Sequence, residues 1–141
     1  VAGTDAGLIY NTFPLMGGRL VPAEYSHMTP FWLNWFENQA AIQFNHRLIA
    51  CGSLVLIWGF WWRCRQASLN RAALVAVNVL MAIACLQVSL GIVTLLTSVP
   101  IALAATHQAV AVLLFVSALG TAFSLRPRWK SLPYPVEAVP A

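Results

Sequence analysis

Three long apolar runs, residues 40–62, 72–96 and 102–125, constrain this chain more than anything else in it. A bilayer core is crossed by about 20 residues of helix, and each run supplies that length. Inside lipid the backbone has no water to bond, and a helix satisfies its N–H and C=O groups within the segment. The fold class read here is all-α: an integral membrane helical bundle with three full transmembrane helices. Only 9% of the 141 residues are charged and 60% are hydrophobic. A soluble domain carries about 25% charged residues. The length allows one domain at most.

The net charge of +4 does not point to nucleic acid. The basic residues sit in short clusters between the apolar runs, where they act as topology signals. Arg63, Arg65 and Arg71 enclose one loop, and Arg126, Arg128 and Lys130 follow the third run. Short basic loops favour the cytoplasmic or matrix side. The 11–39 loop and the Ser98-Val99-Pro100 turn then face outward. Trp58, Trp61 and Trp62 mark the inner end of the first span as an aromatic belt.

The expected organisation has four parts. Residues 1–10, too few to span, read as the end of a transmembrane helix that began upstream, so the chain is expected to be a fragment or a processed product. Residues 11–39 form an outer loop, punctuated by Pro14, Gly17-Gly18, Pro22 and Pro30, with a short interfacial helix at 34–38 carried by Trp32, Trp35 and Phe36. Residues 40–130 form the three-helix membrane region. Residues 131–141, rich in proline, form a disordered tail. The three cysteines, Cys51, Cys64 and Cys85, make neither a disulfide framework nor a zinc spacing.

Two histidines interrupt this apolar pattern. His46 lies in Gln43-Phe44-Asn45-His46-Arg47 near the start of the first span, and His107 in Ala105-Thr106-His107-Gln108 near the start of the third. Ionisable residues in a span are costly and are functional candidates by default. The charge topology puts both near the outer face at similar depth. Two imidazoles at one depth suit a shared metal, with haem iron the candidate. Two axial histidines close the coordination sphere and leave a centre that moves electrons. Arg47 suits a haem propionate, since guanidinium matches carboxylate geometry. Gly52, Gly91 and Ala104-Ala105 are small enough to admit a flat macrocycle, and equally serve ordinary helix packing.

Plainer readings stand beside these. Either histidine alone reads equally well as a hydrogen-bonded interfacial residue. His27, in a Pro-rich loop, reads as solvated. Asn78, Gln87, Ser89 and Thr94 read as interhelical hydrogen-bond glue. Glu37 reads as a surface carboxylate near a helix start, and Asp5 as a turn residue. No Gly-rich phosphate loop, GxSxG or close carboxylate pair is present.

The motifs resemble the haem A synthase family of mitochondrial and alphaproteobacterial type. The matching stretches are Val1-Ala2-Gly3-Thr4-Asp5-Ala6-Gly7, Tyr10-Asn11-Thr12-Phe13-Pro14-Leu15-Met16-Gly17-Gly18, Phe36-Glu37-Asn38, Gln43-Phe44-Asn45-His46-Arg47, the run from Gln87 to Leu96, Val99-Pro100 and Ala104-Ala105-Thr106-His107-Gln108. Their order and spacing cover nearly the whole chain. The resemblance implies an eight-helix protein of two similar four-helix halves, of which this is the C-terminal half. It further implies haem b between His46 and His107, and catalysis in the other half. There a glutamate precedes a histidine by three residues, where this chain has Gln43. Some bacterial members carry a cysteine pair in the outer loop, and residues 11–39 contain none.

The implied reaction is oxidation of a methyl group of haem O to the formyl of haem A, by successive hydroxylations, for cytochrome c oxidase. The implied partners are the lipid bilayer, the missing N-terminal half, haem O synthase and cytochrome oxidase assembly factors, and an electron donor that the residues do not name. The implied setting is the bacterial plasma membrane or the mitochondrial inner membrane, crossed several times. Two alternatives stay open at this point: a stand-alone b-type electron-transfer subunit acting as a homo-oligomer, and a non-redox membrane assembly protein.

Overall fold

The computed structural model describes residues 2–126; the expected tail, with Arg128 and Lys130, lies outside them. Three helices dominate: α1 (Gln39–Gln66), α2 (Arg71–Leu96) and α3 (Ile101–Leu125). All three are long and apolar enough to cross a membrane. At about 1.5 Å per residue, the 28 residues of α1 extend about 42 Å, well beyond a hydrocarbon core of about 30 Å.

The excess length explains the one span boundary that differs clearly from expectation. The first run was expected to end at Trp62, yet α1 continues through Arg63, Cys64 and Arg65 to Gln66. The aromatic belt marks where hydrocarbon ends, whereas the helix ends where its backbone is released. Arginine is a good helix former, and positive charge in a last turn opposes the negative end of the helix dipole.

Local chemistry sets the helix starts. Asn38 caps α1: its side-chain oxygen accepts from the N–H groups of Ala40 and Ala41, at 3.0 and 3.2 Å. Asn70 caps α2 in the same way, accepting from Ala73 N–H at 2.9 Å. Such caps satisfy N–H groups that no helical carbonyl can reach. Between α2 and α3 the chain reverses through Ser98 and Val99, both in the left-handed region, at φ +60° and +57°. A β-branched residue rarely adopts that conformation. The Val99 N–H donates to Thr94 O at 2.8 Å, closing the end of α2.

The helix α2 is the centre of the bundle, and α1 and α3 each pack on it. Its buried residues Ala73, Val77, Leu80 and Ala84 recur at the spacing of one helical face. Thr121 of α3 is also buried, with its hydroxyl 3.2 Å from Ala76 O of α2. Elsewhere the large apolar side chains face outward, among them Leu48 and Leu56 of α1 and Phe115 and Leu119 of α3. That is the pattern of helices solvated by lipid or covered by further helices.

The segment before α1 is a compact loop. Met16 and Arg19 pair around Gly17-Gly18, whose φ values of +57° and +79° suit a two-residue hairpin turn. The expected interfacial helix appears earlier, as a 3-10 helix over Phe31–Trp35. Asn38 must be extended to cap α1, which excludes a helix running through it, and Pro30 pre-sets the start of the turn. Phe31, Trp32 and Trp35 are exposed. Residues expected to end a spanning helix form two 3-10 turns, Ala2–Thr4 and Ala6–Leu8, separated by Asp5 at φ +51°.

Candidate functional site

Because α1 and α3 run in the same direction, their first turns lie at one end of the bundle. His46 is the eighth residue of α1 and His107 the seventh of α3. At about 1.5 Å per residue both lie about 10 Å inside their helix starts. The structure brings the two rings together: their centroids are 6.5 Å apart and their planes cross at 84°.

That separation can be tested against a bridging metal. Metal–imidazole bonds of about 2 Å, plus about 1.2 Å from nitrogen to ring centre at each end, place the centroids about 6.4 Å apart. Among the described residues no group of three or more His, Cys, Asp or Glu could hold an ion by itself. A metal held here by two imidazoles needs its other ligands supplied with it, as a porphyrin supplies four nitrogens. The observed spacing and donor set fit that group.

The state of the nitrogens fits as well. His46 makes no hydrogen bond among the described residues; its one contact of this kind is the ring of His107. His107 Nδ1 is buried without a partner, and its Nε2 lies 3.4 Å from the side-chain amide of Gln87 on α2. Gly91, one turn along α2, lies directly beneath the imidazole. A Cβ there would come within 2.9 Å of His107 Cε1. Gly52, by contrast, faces open space. A groove of about 170 Å³ runs from His46 between α1 and α2, lined by His46, Ala50 and Ser53 of α1, Ala84 and Gln87 of α2, and Leu114 of α3. Pockets that enclose drug-sized ligands run to about 300–1,000 Å³, so a macrocycle seated here would project past the groove.

A strap over residues 7–12 holds the histidine end of the bundle together. Arg47 donates to Tyr10 O and Thr12 O, both at 2.8 Å. Gln43 donates to Tyr10 O at 3.1 Å, and its Oε1 is buried without a partner. Asn11 reaches Leu95 O at the end of α2, at 3.0 Å. These bonds bear on the expected role of Arg47. Two of its donors are committed to backbone carbonyls, while its buried Nε has no partner. Gly7 and Tyr10-Asn11-Thr12 belong to the motif stretches, but their bracing role was not legible, because a carbonyl acceptor can belong to any residue.

His27 sits apart from the pair, exposed in an outer cleft of about 460 Å³ with Tyr10, Glu24 and Glu37. Its Nδ1 lies 2.7 Å from Glu24 O. The Tyr10 hydroxyl donates to Glu24 Oε2 at 2.5 Å. This bond holds the Glu24 carboxyl below its ordinary range and, with some burial, pushes the Tyr10 phenol up.

The family model described as cytochrome oxidase assembly protein, of COX15-CtaA type, matches residues 1–119. The chain belongs to this family. It is similar to a heme A synthase of Nitrosospira multiformis, at 46% identity over 126 residues, covering 89% of this chain and 35% of the relative. It is likewise similar to a heme A synthase of the Wolbachia of Brugia malayi (44% over 119 residues, covering 84% and 33%) and to the human heme A synthase COX15 (42% over 126 residues, covering 89% and 31%). The chain thus spans about a third of the length of these family members. No solved structure matches it.

Proposed function

We propose that this chain is the haem b-carrying, C-terminal part of a haem A synthase, with His46 and His107 as the axial ligands. The observation that carries the reading is the 6.5 Å separation of two imidazoles from different helices, at equal depth in an apolar bundle. The relatives named heme A synthase supply the reaction, conversion of the haem O methyl group to the formyl of haem A. In this reading catalysis belongs to the part of the protein beyond this chain.

Haem b would supply one-electron transfer, passing electrons toward that reaction. The chain's own residues do the rest. His46 and His107 would hold the iron, each supplying one imidazole nitrogen from its own helix. His107 is half-buried against α2, while His46 is exposed. Arg47, with donors to spare and Nε unpartnered, balances propionate charge at the outer edge. Gln43, whose amide is committed to strap carbonyls, stands where the catalytic half carries a carboxylate, so this half holds a cofactor without an acid beside it.

Charge supports an outward-facing site. Arg19 and Arg47 lie at the histidine end, while Arg63, Arg65, Arg71 and Arg126 lie at the other, so basic residues are in excess at the end that short basic loops direct to the cytoplasm or matrix. The reading is tested by purifying the full-length protein in detergent and recording its spectrum. Low-spin haem b is expected, and His46→Ala or His107→Ala should each abolish it. Folded protein with both histidines intact and no haem b would refute the reading.

A further inference from the structure

We infer that Gln87 is a positioning residue for His107, and that by hydrogen-bonding its imidazole it lowers the reduction potential of the metal centre. This rests on the reading of His107 as an axial ligand. Three observations on α2 carry it.

The first is the contact itself, with the Gln87 amide 3.4 Å from His107 Nε2. The second is that Gln87 Oε1 is buried without a partner. Amide oxygen and nitrogen are interchangeable in assignment. Turning the amide over places the orphaned oxygen against the ring nitrogen, where it accepts the imidazole N–H and removes the unsatisfied acceptor. The third is Gly91. With no side chain there, the ring lies against α2 one turn from Gln87, within reach of the amide. No other described side chain bonds His107, so Gln87 alone can fix which nitrogen carries the proton.

A ligating imidazole needs an acceptor for its second nitrogen, which fixes the tautomer and raises the basicity of the first. Among the described residues His46 has no such acceptor, so within this chain the two ligands are unequal and the tuning falls on His107. A more basic ligand favours the ferric state. Removing the acceptor therefore raises the potential. If the loss weakens ferric binding about tenfold relative to ferrous, the midpoint rises by about 59 mV for one electron.

The experiment compares Gln87→Leu and Gln87→Glu in the full-length protein, with redox titration of the haem b band and electron paramagnetic resonance of the ferric state. Gln87→Leu should keep the low-spin spectrum, raise the midpoint and shift the ferric resonance. Gln87→Glu should restore the acceptor and return the midpoint to the parent value or below it. Gln87→Asn, shorter by one methylene, should behave like Gln87→Leu, which excludes a merely steric role. Unchanged midpoints in all three would overturn the inference while leaving the ligand assignment standing. If His107→Ala left the haem b spectrum intact, the ligand assignment itself would fail.

Discussion

Gly91→Ala is the sharpest test of the histidine seat, because two effects of opposite sign meet there. Alanine is a better helix former than glycine by about 1 kcal/mol, so propensity alone favours the change. The added Cβ would sit 2.9 Å from His107 Cε1, where carbon atoms prefer about 3.5–4.0 Å. Relief requires the ring to retreat by about 0.6–1 Å, and overpacking of this kind costs about 1–3 kcal/mol. The net change in fold stability is then a loss of at most about 2 kcal/mol. Metal–ligand distances hold to about ±0.2 Å, so the same displacement is three or more times what a bonded iron tolerates. Haem retention should suffer more than the fold. The assay is the ratio of haem b to protein after purification, with thermal unfolding of the same samples. Gly120→Ala is the control, since nothing lies within 4 Å of its Cβ position; it should keep haem and lose no stability. A Gly91→Ala protein with full haem content and an unaltered low-spin spectrum would refute the placement of the ring on α2.

Three further outcomes are expected. Asn38→Ala removes the cap of α1 and the donors that Asn38 Nδ2 offers to Glu24 O and Tyr25 O; cap loss alone costs about 0.5–2 kcal/mol, and Asn38→Asp, which keeps the cap acceptor, should recover part of the melting temperature. Tyr10→Phe removes the bond that holds Glu24 low. A carboxyl lowered on folding contributes stability above its unfolded value and loses it as pH falls, so the parent's stability advantage over Tyr10→Phe should shrink as pH drops below about 4.5 in melting curves. Arg47→Ala frees the carbonyls of Tyr10 and Thr12, and hydrogen exchange across residues 7–12 should accelerate, while exchange in the middle of α2 should not.

Much of this architecture is readable without coordinates. The starts of α2 and α3 fall one residue from the expected positions because the apolar runs begin abruptly, after the basic loop and after the Ser98-Val99-Pro100 turn. The histidine pair was legible because charge in hydrocarbon is conspicuous, and basic loops say which ends align. The part played by α2 was not legible. Its side chains are apolar on nearly every face, so no stripe reveals which residues turn toward α3. Gln87 reads as hydrogen-bond glue, which is correct in kind, but its partner lies twenty residues away on another helix. The end of α1 was misplaced because an aromatic belt reports the lipid boundary and says nothing about where a helix stops.

Since α1 and α3 both pack on α2 with their histidine rings 6.5 Å apart, the two imidazoles work like the jaws of a caliper whose beam is the middle helix. The opening between them is set by how closely α1 and α3 seat on α2, through small residues such as Ala84, beside His46 in the groove, and Gly91, against His107. A bulkier side chain at Ala84, which is buried and far from either ring along the chain, would spread the jaws without altering either ligand. The gauge reads 6.5 Å between ring centres. Its calibration belongs to the helix that contributes no ligand.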